Sequence, residues 1–206
     1  FDLNQAYEEC DVFVSIAKLK EHANAGITLS MKNLFGITPA TIYGRGAGED
    51  EPSELPSGGR DMLHFGRRQP PSSAPGEIDT KTPRQDGYRV PRIVTDLTAA
   101  RPIHLAVIDG IATMTHAEGP WVRGGKLVRP GVLVAGTNPV TTDVVSAAVM
   151  GFDPMAVRGQ APFEKCDSTL QLAEEVGLGT RDLRRIEVRG ASIASVRFDF
   201  RKHSAL

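Results

Sequence analysis

The sequence CDVFVSIA at residues 10–17 is followed by KLKEHANAGITLSMKNLFG at residues 18–36. The first segment is rich in β-branched and aromatic residues, which predicts a buried β-strand. Three lysines, Lys18, Lys20 and Lys32, and one histidine, His22, come after it. Cationic side chains at the end of a buried strand are costly to desolvate unless an anion receives them. This stretch therefore predicts both the start of a sheet and a binding site.

Outward from this stretch, strand and helix patterns alternate along the chain. Asn138 suits the N-cap of one predicted helix, and Pro139 suits its first position. Such alternation predicts an α/β fold with a mixed, mostly parallel sheet and helices on both faces. Further strands are predicted at residues 103–108, 132–135, 186–188 and 195–200, and helices at residues 25–35, 90–101, 139–150, 168–176 and 180–184.

Residues 44–91 have a different character, because 8 glycines and 7 prolines interrupt any sustained apolar periodicity. The composition predicts a long irregular excursion, with one helical turn at residues 59–65 that carries Arg60 and His64. Loops of this length are often functional lids. A solvated surface insertion is the alternative.

Composition limits the function classes. The 206 residues and 40% hydrophobic content favour one α/β domain over residues 1–206, cut from a longer protein because the chain begins at Phe1. A net charge of -1 gives no general attraction to nucleic acid or to a membrane surface. No apolar run is long enough to span a membrane. Cys10 and Cys166 alone cannot hold an iron–sulfur cluster. The compartment, cytoplasmic or exported, is left open.

Polar residues follow three of the predicted strands. Lys18, Lys20 and His22 follow the first strand, Asp109 follows the second, and Asn138 follows the third. If these strands are parallel neighbours, their carboxyl ends meet at one crevice, where α/β sheets bind ligands.

The basic residues suggest anion binding. Lys18 and Lys20 share strand parity, and Lys32 and Asn33 lie on the following turn. With Asn138, they could hold a phosphate or a carboxylate. A solvated basic edge is the alternative reading.

Acid–base and metal-binding residue types are also present. His22 and His64 are candidate catalytic groups, because an unperturbed imidazole titrates near neutrality. Asp109, Glu118 and Asp143 offer hard oxygen ligands for a divalent metal, although their spacing matches no metal motif. Asp143 falls on an apolar helix face, so its carboxylate needs a cation, a metal or several hydrogen-bond donors.

Four segments together resemble the domain-of-unknown-function 362 family. They are IAKLKEHANAGITLSMKNLFG, the segment from Arg60 to His64, AVIDGIATMTHAEGP and GVLVAGTNPVTTDVVSAAVMGFDP, in that order. The resemblance implies an α/β domain without implying a settled reaction. Its recurring polar positions map here to Lys18, Lys20, His22, Lys32, Asn33, Gly36, Asp109, Gly110, Gly119, Pro120, Gly136 and Asp143.

The resemblance also implies partners. Longer relatives often carry ferredoxin-like cysteine motifs and some look exported, whereas this chain has no cluster cysteines. It also has Asn138 where relatives commonly show an acidic residue, which weakens a metal site at that helix start.

Two functions follow as hypotheses, and the sequence does not decide whether the protein is an enzyme. In the first, the domain binds a small anionic molecule, with or without a divalent metal, and carries out hydrolysis or proton transfer. In the second, it is a non-catalytic accessory domain for an iron–sulfur or redox partner protein. A third, structural reading is that buried lysine–carboxylate pairs only hold loops together.

Overall fold

The computed structural model describes residues 1–54 and 59–203. The predicted excursion at 44–91 and the predicted domain at 1–206 therefore each include positions outside the described residues. The described strands are β1 (Val14–Lys18), β2 (Lys20–His22), β3 (Gly26–Thr28), β4 (Leu105–Gly110), β5 (Thr113–Thr115), β6 (Lys126–Val128) and β7 (Val132–Gly136). The described α-helices are α1 (Gln5–Glu9), α2 (Ser30–Asn33), α3 (Ala40–Tyr43), α4 (Asp61–Phe65), α5 (Asp86–Ala100), α6 (Pro139–Val149), α7 (Thr169–Glu175) and α8 (Ile193–Val196).

The central sheet has three strands in the order β1-β4-β7. Strand β1 pairs with β4 in parallel, with Lys18 opposite Asp109, whereas β4 and β7 are antiparallel. The sheet is therefore mixed, as predicted, but it is not mostly parallel. The chain returns through the hairpin β5–β6 instead of a helical crossover, so β7 runs in the reverse direction.

Only one face of this sheet is covered by helices. Ser15, Ala17, Ala106 and Ile108 point into the core, where α2 and α6 pack against the sheet. On the other face, the side chain of Ile16 is 66% exposed. Val14 and Leu133 are also exposed, at 41% and 59%. In the described residues, therefore, helices do not cover both faces of the sheet as predicted.

Helix α6 forms where the sequence predicts it. The Asn138 side chain accepts a hydrogen bond from the Thr141 backbone N–H at 2.9 Å, which caps the first turn. Nearly the whole helix is buried, in keeping with its apolar sequence.

Helix α5 begins at Asp86, before the predicted start at residue 90, and contains Pro91. A proline inside a helix leaves one carbonyl without its N–H partner. Here the Gly87 carbonyl accepts a hydrogen bond from the Asp167 backbone N–H at 2.9 Å. A Cβ at Gly87 would lie 2.2 Å from the Lys165 carbonyl oxygen, so this close approach requires glycine.

Four other predicted elements differ. Instead of the helix predicted at residues 180–184, the structure has a short 3₁₀ helix, Leu183–Arg185. Residues 25–35 contain strand β3, helix α2 and the start of a 3₁₀ helix, Leu34–Ile37, instead of one helical segment. Residues 186–188 form no strand. The segment at 195–200 bonds to the end of α6, because Phe198 N–H donates to the Val149 carbonyl. The turn at residues 59–65 is confirmed as α4.

Both cysteines are free thiols. In the described part of the chain, we find no helix with the length and apolar character needed to cross a membrane.

Candidate functional site

The hairpin β2–β3 places two of the predicted site residues on one face. Lys20 is opposite Thr28 and His22 is opposite Gly26 in the antiparallel register. Residues two apart on a strand point the same way, so the side chains of Lys20 and His22 project together. Sequence parity had also grouped Lys18 with Lys20, but β1 ends at Lys18 and the two side chains separate there.

Glu118, in the loop after β5, contacts both of these side chains. Lys20 Nζ donates to the Glu118 carbonyl oxygen at 2.6 Å. His22 Nε2 lies 3.2 Å from Glu118 Oε2. The loop thus supplies one backbone acceptor and one carboxylate to the same place.

The hydrogen bonds of His22 define its tautomer. Its Nδ1 accepts from the Asn24 backbone N–H at 3.1 Å, so the proton resides on Nε2 and points at Glu118. Burial, with Lys32, Lys20 and His64 nearby, lowers the pKa of His22 to about 2. The ring is therefore neutral at physiological pH and acts as a hydrogen-bond donor to Glu118, not as an imidazolium acid.

Lys32 reaches the same place from helix α2. Its Nζ lies 4.2 Å from the centroid of the Phe35 ring, and it makes no hydrogen bond with the residues that the structure describes. The pKa of Lys32 is lowered to about 8, mainly by burial. Glu118 opposes this shift, whereas the positive charges of Lys20 and Arg60 contribute to it. Burial likewise lowers the pKa of Lys20, against the attraction of Glu118.

Helix α4 carries His64, and its N-cap residue Arg60 donates to the Gly36 carbonyl, next to Phe35. The His64 ring is 4.8 Å from the Phe35 ring in an edge-on arrangement. His64 Nδ1 is 2.9 Å from the Arg60 carbonyl oxygen, which can only accept, so Nδ1 carries the proton and Nε2 keeps its lone pair. Burial lowers the pKa of His64, against the opposing bond to Arg60.

We call Lys20, His22, Lys32, Arg60, His64 and Glu118 the cationic cluster. Three basic side chains, Lys20, Lys32 and Arg60, share the cluster with one carboxylate, Glu118, and both histidines favour the neutral form. The cluster therefore has a surplus of positive charge in a partly desolvated place, together with an imidazole nitrogen that can accept a proton.

Lys18 and Asp109 lie elsewhere, on the open face of the sheet. Lys18 Nζ is 2.6 Å from Asp109 Oδ2, and it also donates to the Ala112 carbonyl at 3.0 Å. Lys18, with an additional contribution from the Ile111 N–H, lowers the pKa of the Asp109 carboxyl. This ion pair is partly exposed, and each charge already has its partner.

Asn33 and Asn138 hold the backbone together at two other positions. Asn33 Nδ2 donates to Ser15 Oγ at 3.1 Å and so ties α2 to β1. Asn138 caps α6 and donates to the Leu178 carbonyl at 2.9 Å. Because β7 is antiparallel to β4, Asn138 follows the strand end opposite to the one that carries Lys18.

The predicted metal ligands Asp109, Glu118 and Asp143 do not meet. Asp109 pairs with Lys18, Glu118 contacts His22, and Asp143 bonds to Ser30. Within residues 1–54 and 59–203, no group of three or more His, Cys, Asp or Glu side chains could hold a metal ion. The structure therefore places the three carboxylates at separate positions, and a metal role for any one of them stays a prediction.

Neither Arg60 nor Phe35 was among the site residues predicted from the sequence. Arg60 precedes His64 by four residues, a spacing that puts both on one side of a helical turn. Phe35 follows Lys32 by three residues, which is also a same-face spacing. Both signals were present, but a single short turn does not indicate which side faces the site.

A cavity of about 420 Å³ lies near the cluster but does not include its charged groups. Met62 and Leu63 of α4 contribute to its lining, as do three arginines that already have partners. Arg68 lies 3.6 Å from Glu49. Arg89 pairs with Glu77 at 2.6 Å, and Arg92 pairs with Asp167 at 2.6 Å. Because those charges are compensated, we place the candidate site at the cationic cluster.

Comparison with known proteins gives one family match. A family model described as "Domain of unknown function (DUF362)" matches residues 1–148. This segment contains every member of the cationic cluster. No curated protein and no solved structure matches the chain.

Proposed function

The chain belongs to the DUF362 family, and we propose that it binds a small anion at the cationic cluster and transfers a proton within that ligand. The observation that carries the proposal is the buried ammonium of Lys32. It has two cationic neighbours, Lys20 and Arg60, and no hydrogen-bond acceptor among the described residues.

Electrostatics supports an anion at this place. Like charges that approach in a desolvated environment destabilise one another, and Lys20 and Arg60 both lower the pKa of Lys32 against the attraction of Glu118. A bound anion would accept hydrogen bonds from Lys32 and Lys20. It would also favour the charged form of both amines and raise the pKa of each.

The donor types favour a compact oxygen anion. Each ammonium is a point charge with three donors, which suits one oxygen of a carboxylate or a phosphate. Arg60 already donates from Nε to the Thr38 carbonyl at 2.9 Å and from Nη2 to the Gly36 carbonyl at 2.8 Å. Its remaining nitrogen, Nη1, would be available to the ligand.

Proton transfer rests on His64. Its Nε2 keeps a lone pair, and its pKa is lowered by burial, so it would act as a base at neutral pH. Lys32 and Lys20 would stabilise the negative charge that develops when the ligand loses a proton. In this proposal His22 is a positioning residue, because it donates to the Glu118 carboxylate.

The test is calorimetric titration of the full chain with inorganic phosphate and, separately, with acetate. We expect binding of at least one anion, and Lys32→Met or Lys20→Met should weaken it by about tenfold or more, the effect of one lost charge-assisted hydrogen bond. Lys18→Met is the matched control, because that lysine is paired with Asp109 on the open sheet face.

Two results would contradict the proposal. One is the absence of heat with either anion in a protein shown to be folded. The other is an equal loss of affinity in the Lys18 control, which would indicate only general surface charge.

A further inference from the structure

Lys32 differs from the other lysines of the described chain in its surroundings. Lys18 is paired with a carboxylate and Lys20 donates to a backbone carbonyl, while Lys81, Lys126, Lys165 and Lys202 are exposed. Lys32 combines a largely buried amine, no hydrogen-bond acceptor among the described residues, and two cationic neighbours, Lys20 and Arg60, opposed by one carboxylate, Glu118. These conditions favour a neutral amine, and a neutral amine is a nucleophile.

We propose that Lys32 is a covalent nucleophile whose amine condenses with the carbonyl carbon of a 2-oxo acid. This inference rests on the proposed function, because the carboxylate of the 2-oxo acid would be the anion held by Lys20 and Arg60. It goes further by naming the substrate class and the bond that forms.

The position of the Phe35 ring supports this reading. The face of the ring lies 4.2 Å from the amine, and the His64 ring contacts the same phenyl ring edge-on at 4.8 Å. An apolar wall on one side limits hydration of the amine, while His64 remains close enough to exchange a proton through the ligand. The lowered pKa of Lys32, about 8, agrees with this arrangement.

The step balances as follows. The Lys32 ammonium first gives one proton to His64 Nε2, and the neutral Nζ then forms a C–N bond to the carbonyl carbon. The carbonyl oxygen leaves as water with two protons, one from Nζ and one returned by His64. The product is an iminium that carries the positive charge previously on the ammonium. No oxidant or reductant is required.

Formation of the iminium would give His64 a role as a base. A cationic C=N group withdraws electrons from the adjacent carbon, so a proton on that carbon becomes acidic. The lone pair of His64 Nε2 would accept that proton, and Lys20 would keep the carboxylate in place. Lys32 would therefore be a catalytic residue, and Lys20 would bind the substrate.

The experiment incubates the full chain with pyruvate and sodium cyanoborohydride, which reduces an iminium to a stable secondary amine. Peptide mass spectrometry then gives the extent of modification at each lysine over time. A lysine of pKa near 8 has on the order of 100-fold more neutral amine near neutral pH than an ordinary lysine. We expect Lys32 to be modified at least about tenfold faster than exposed Lys126, with partial burial reducing the full advantage.

Lys32→Arg keeps the charge but has no primary amine to form the adduct, so the fast modification should disappear. The comparison of Lys32 with Lys126 within the unmodified sequence needs no variant, so a folding defect in Lys32→Arg would not weaken the test. Equal or slower modification of Lys32 would overturn the nucleophile. If phosphate still binds in that case, the anion site stands and only the covalent step fails.

Discussion

The carboxylate of Asp143 accepts hydrogen bonds from the backbone N–H of Ser30 at 2.9 Å and from its hydroxyl at 2.7 Å, across 113 residues of sequence. Its second oxygen accepts from the Met31 N–H at 3.1 Å. A buried side chain of α6 therefore caps the first turn of α2, two residues before Lys32. This contact fixes the turn from which Lys32 reaches the cationic cluster.

We expect Asp143→Ala to lower the free energy of unfolding by roughly 3 kcal/mol, because buried donors on Ser30 and Met31 lose their acceptor. Urea denaturation measures this loss. A change below about 0.5 kcal/mol would contradict the capping role. The same variant should also reduce phosphate binding, since α2 would no longer be held in place.

The pH dependence of this cap has a defined sign. Burial raises the pKa of Asp143 to about 7 in the folded state, above the ordinary value of about 3.9. The contribution of this group to stability is complete below about pH 4 and declines as the pH rises through about 7. The stability advantage of the natural protein over Asp143→Asn should therefore shrink between about pH 4 and about pH 7. A constant difference would show that the carboxyl does not titrate in this range.

Glu77 provides a second prediction, in the 44–91 excursion. It pairs with Arg89, only 7% exposed, and with Arg84, each at 2.6 Å. Glu77→Gln should cost roughly 3 kcal/mol, because it leaves the Arg89 charge buried without its counter-charge. Glu187→Gln is the matched control: its pair with Arg189 is exposed on both sides and should contribute less than about 1 kcal/mol.

Acid unfolding should also distinguish the natural protein from Glu77→Gln. Burial alone would raise the pKa of Glu77. Hydrogen bonds outweigh this effect and lower the pKa to about 2, and their donors are Arg89, Arg84, Thr82 and Gln69. Its stabilising contribution is present above about pH 4.5 and is lost as the pH falls toward 2. Acid unfolding should therefore begin at a lower pH in the natural protein than in Glu77→Gln. Coincident acid transitions would refute this.

The elements with local chemical signals could be predicted from the sequence. Asn138 and Pro139 mark the start of α6, and the turn that carries His64 forms as expected. The direction of β7 could not be predicted, because an apolar strand pattern carries no information on the strand's direction. The covering of the sheet was also misjudged, since Val14 and Ile16 are as apolar as the core residues but are exposed.

The site was partly predictable, because several of its residues are also close in sequence. Lys20, His22 and Lys32 are close in sequence, so local geometry brings them together, and a loop and α4 add Glu118 and His64. From its apolar helix face, Asp143 was expected to need a cation, a metal or several hydrogen-bond donors. That its donors are Ser30 and Met31, and not a metal or a lysine, depends on how α2 packs against α6, which no local pattern specifies.

The two faces of the central sheet offer a direct comparison. Ile108 is fully buried under the helices, whereas Ile16 is 66% exposed on the open face. Ile108→Ala should lower the free energy of unfolding by about 2–5 kcal/mol through lost burial and the cavity left behind. Ile16→Ala should cost at most about 1 kcal/mol, the range of strand propensity. Equal costs in urea denaturation would indicate that the open face is covered in solution.

Lys32 gives the last prediction, because its charge should control both binding and stability in the alkaline range. Its pKa is lowered to about 8 in the folded state, while an unfolded lysine titrates near 10.4. Phosphate affinity should therefore fall as the pH rises through 8, since Lys32 loses its charge. Lys18→Met should show the same decline, because Lys32 is intact in that control.

Stability should change in the opposite direction over the same range. The folded state releases the Lys32 proton at a lower pH than the unfolded state, so this group's contribution to the free energy of unfolding increases from about pH 8 to about pH 10.5. Relative to Lys32→Met, which cannot titrate, the natural protein should therefore gain stability across this window in urea denaturation. A difference that stays flat, or that falls, would mean that the amine is hydrated or paired in solution, and the charge surplus of the cationic cluster would no longer require an anion.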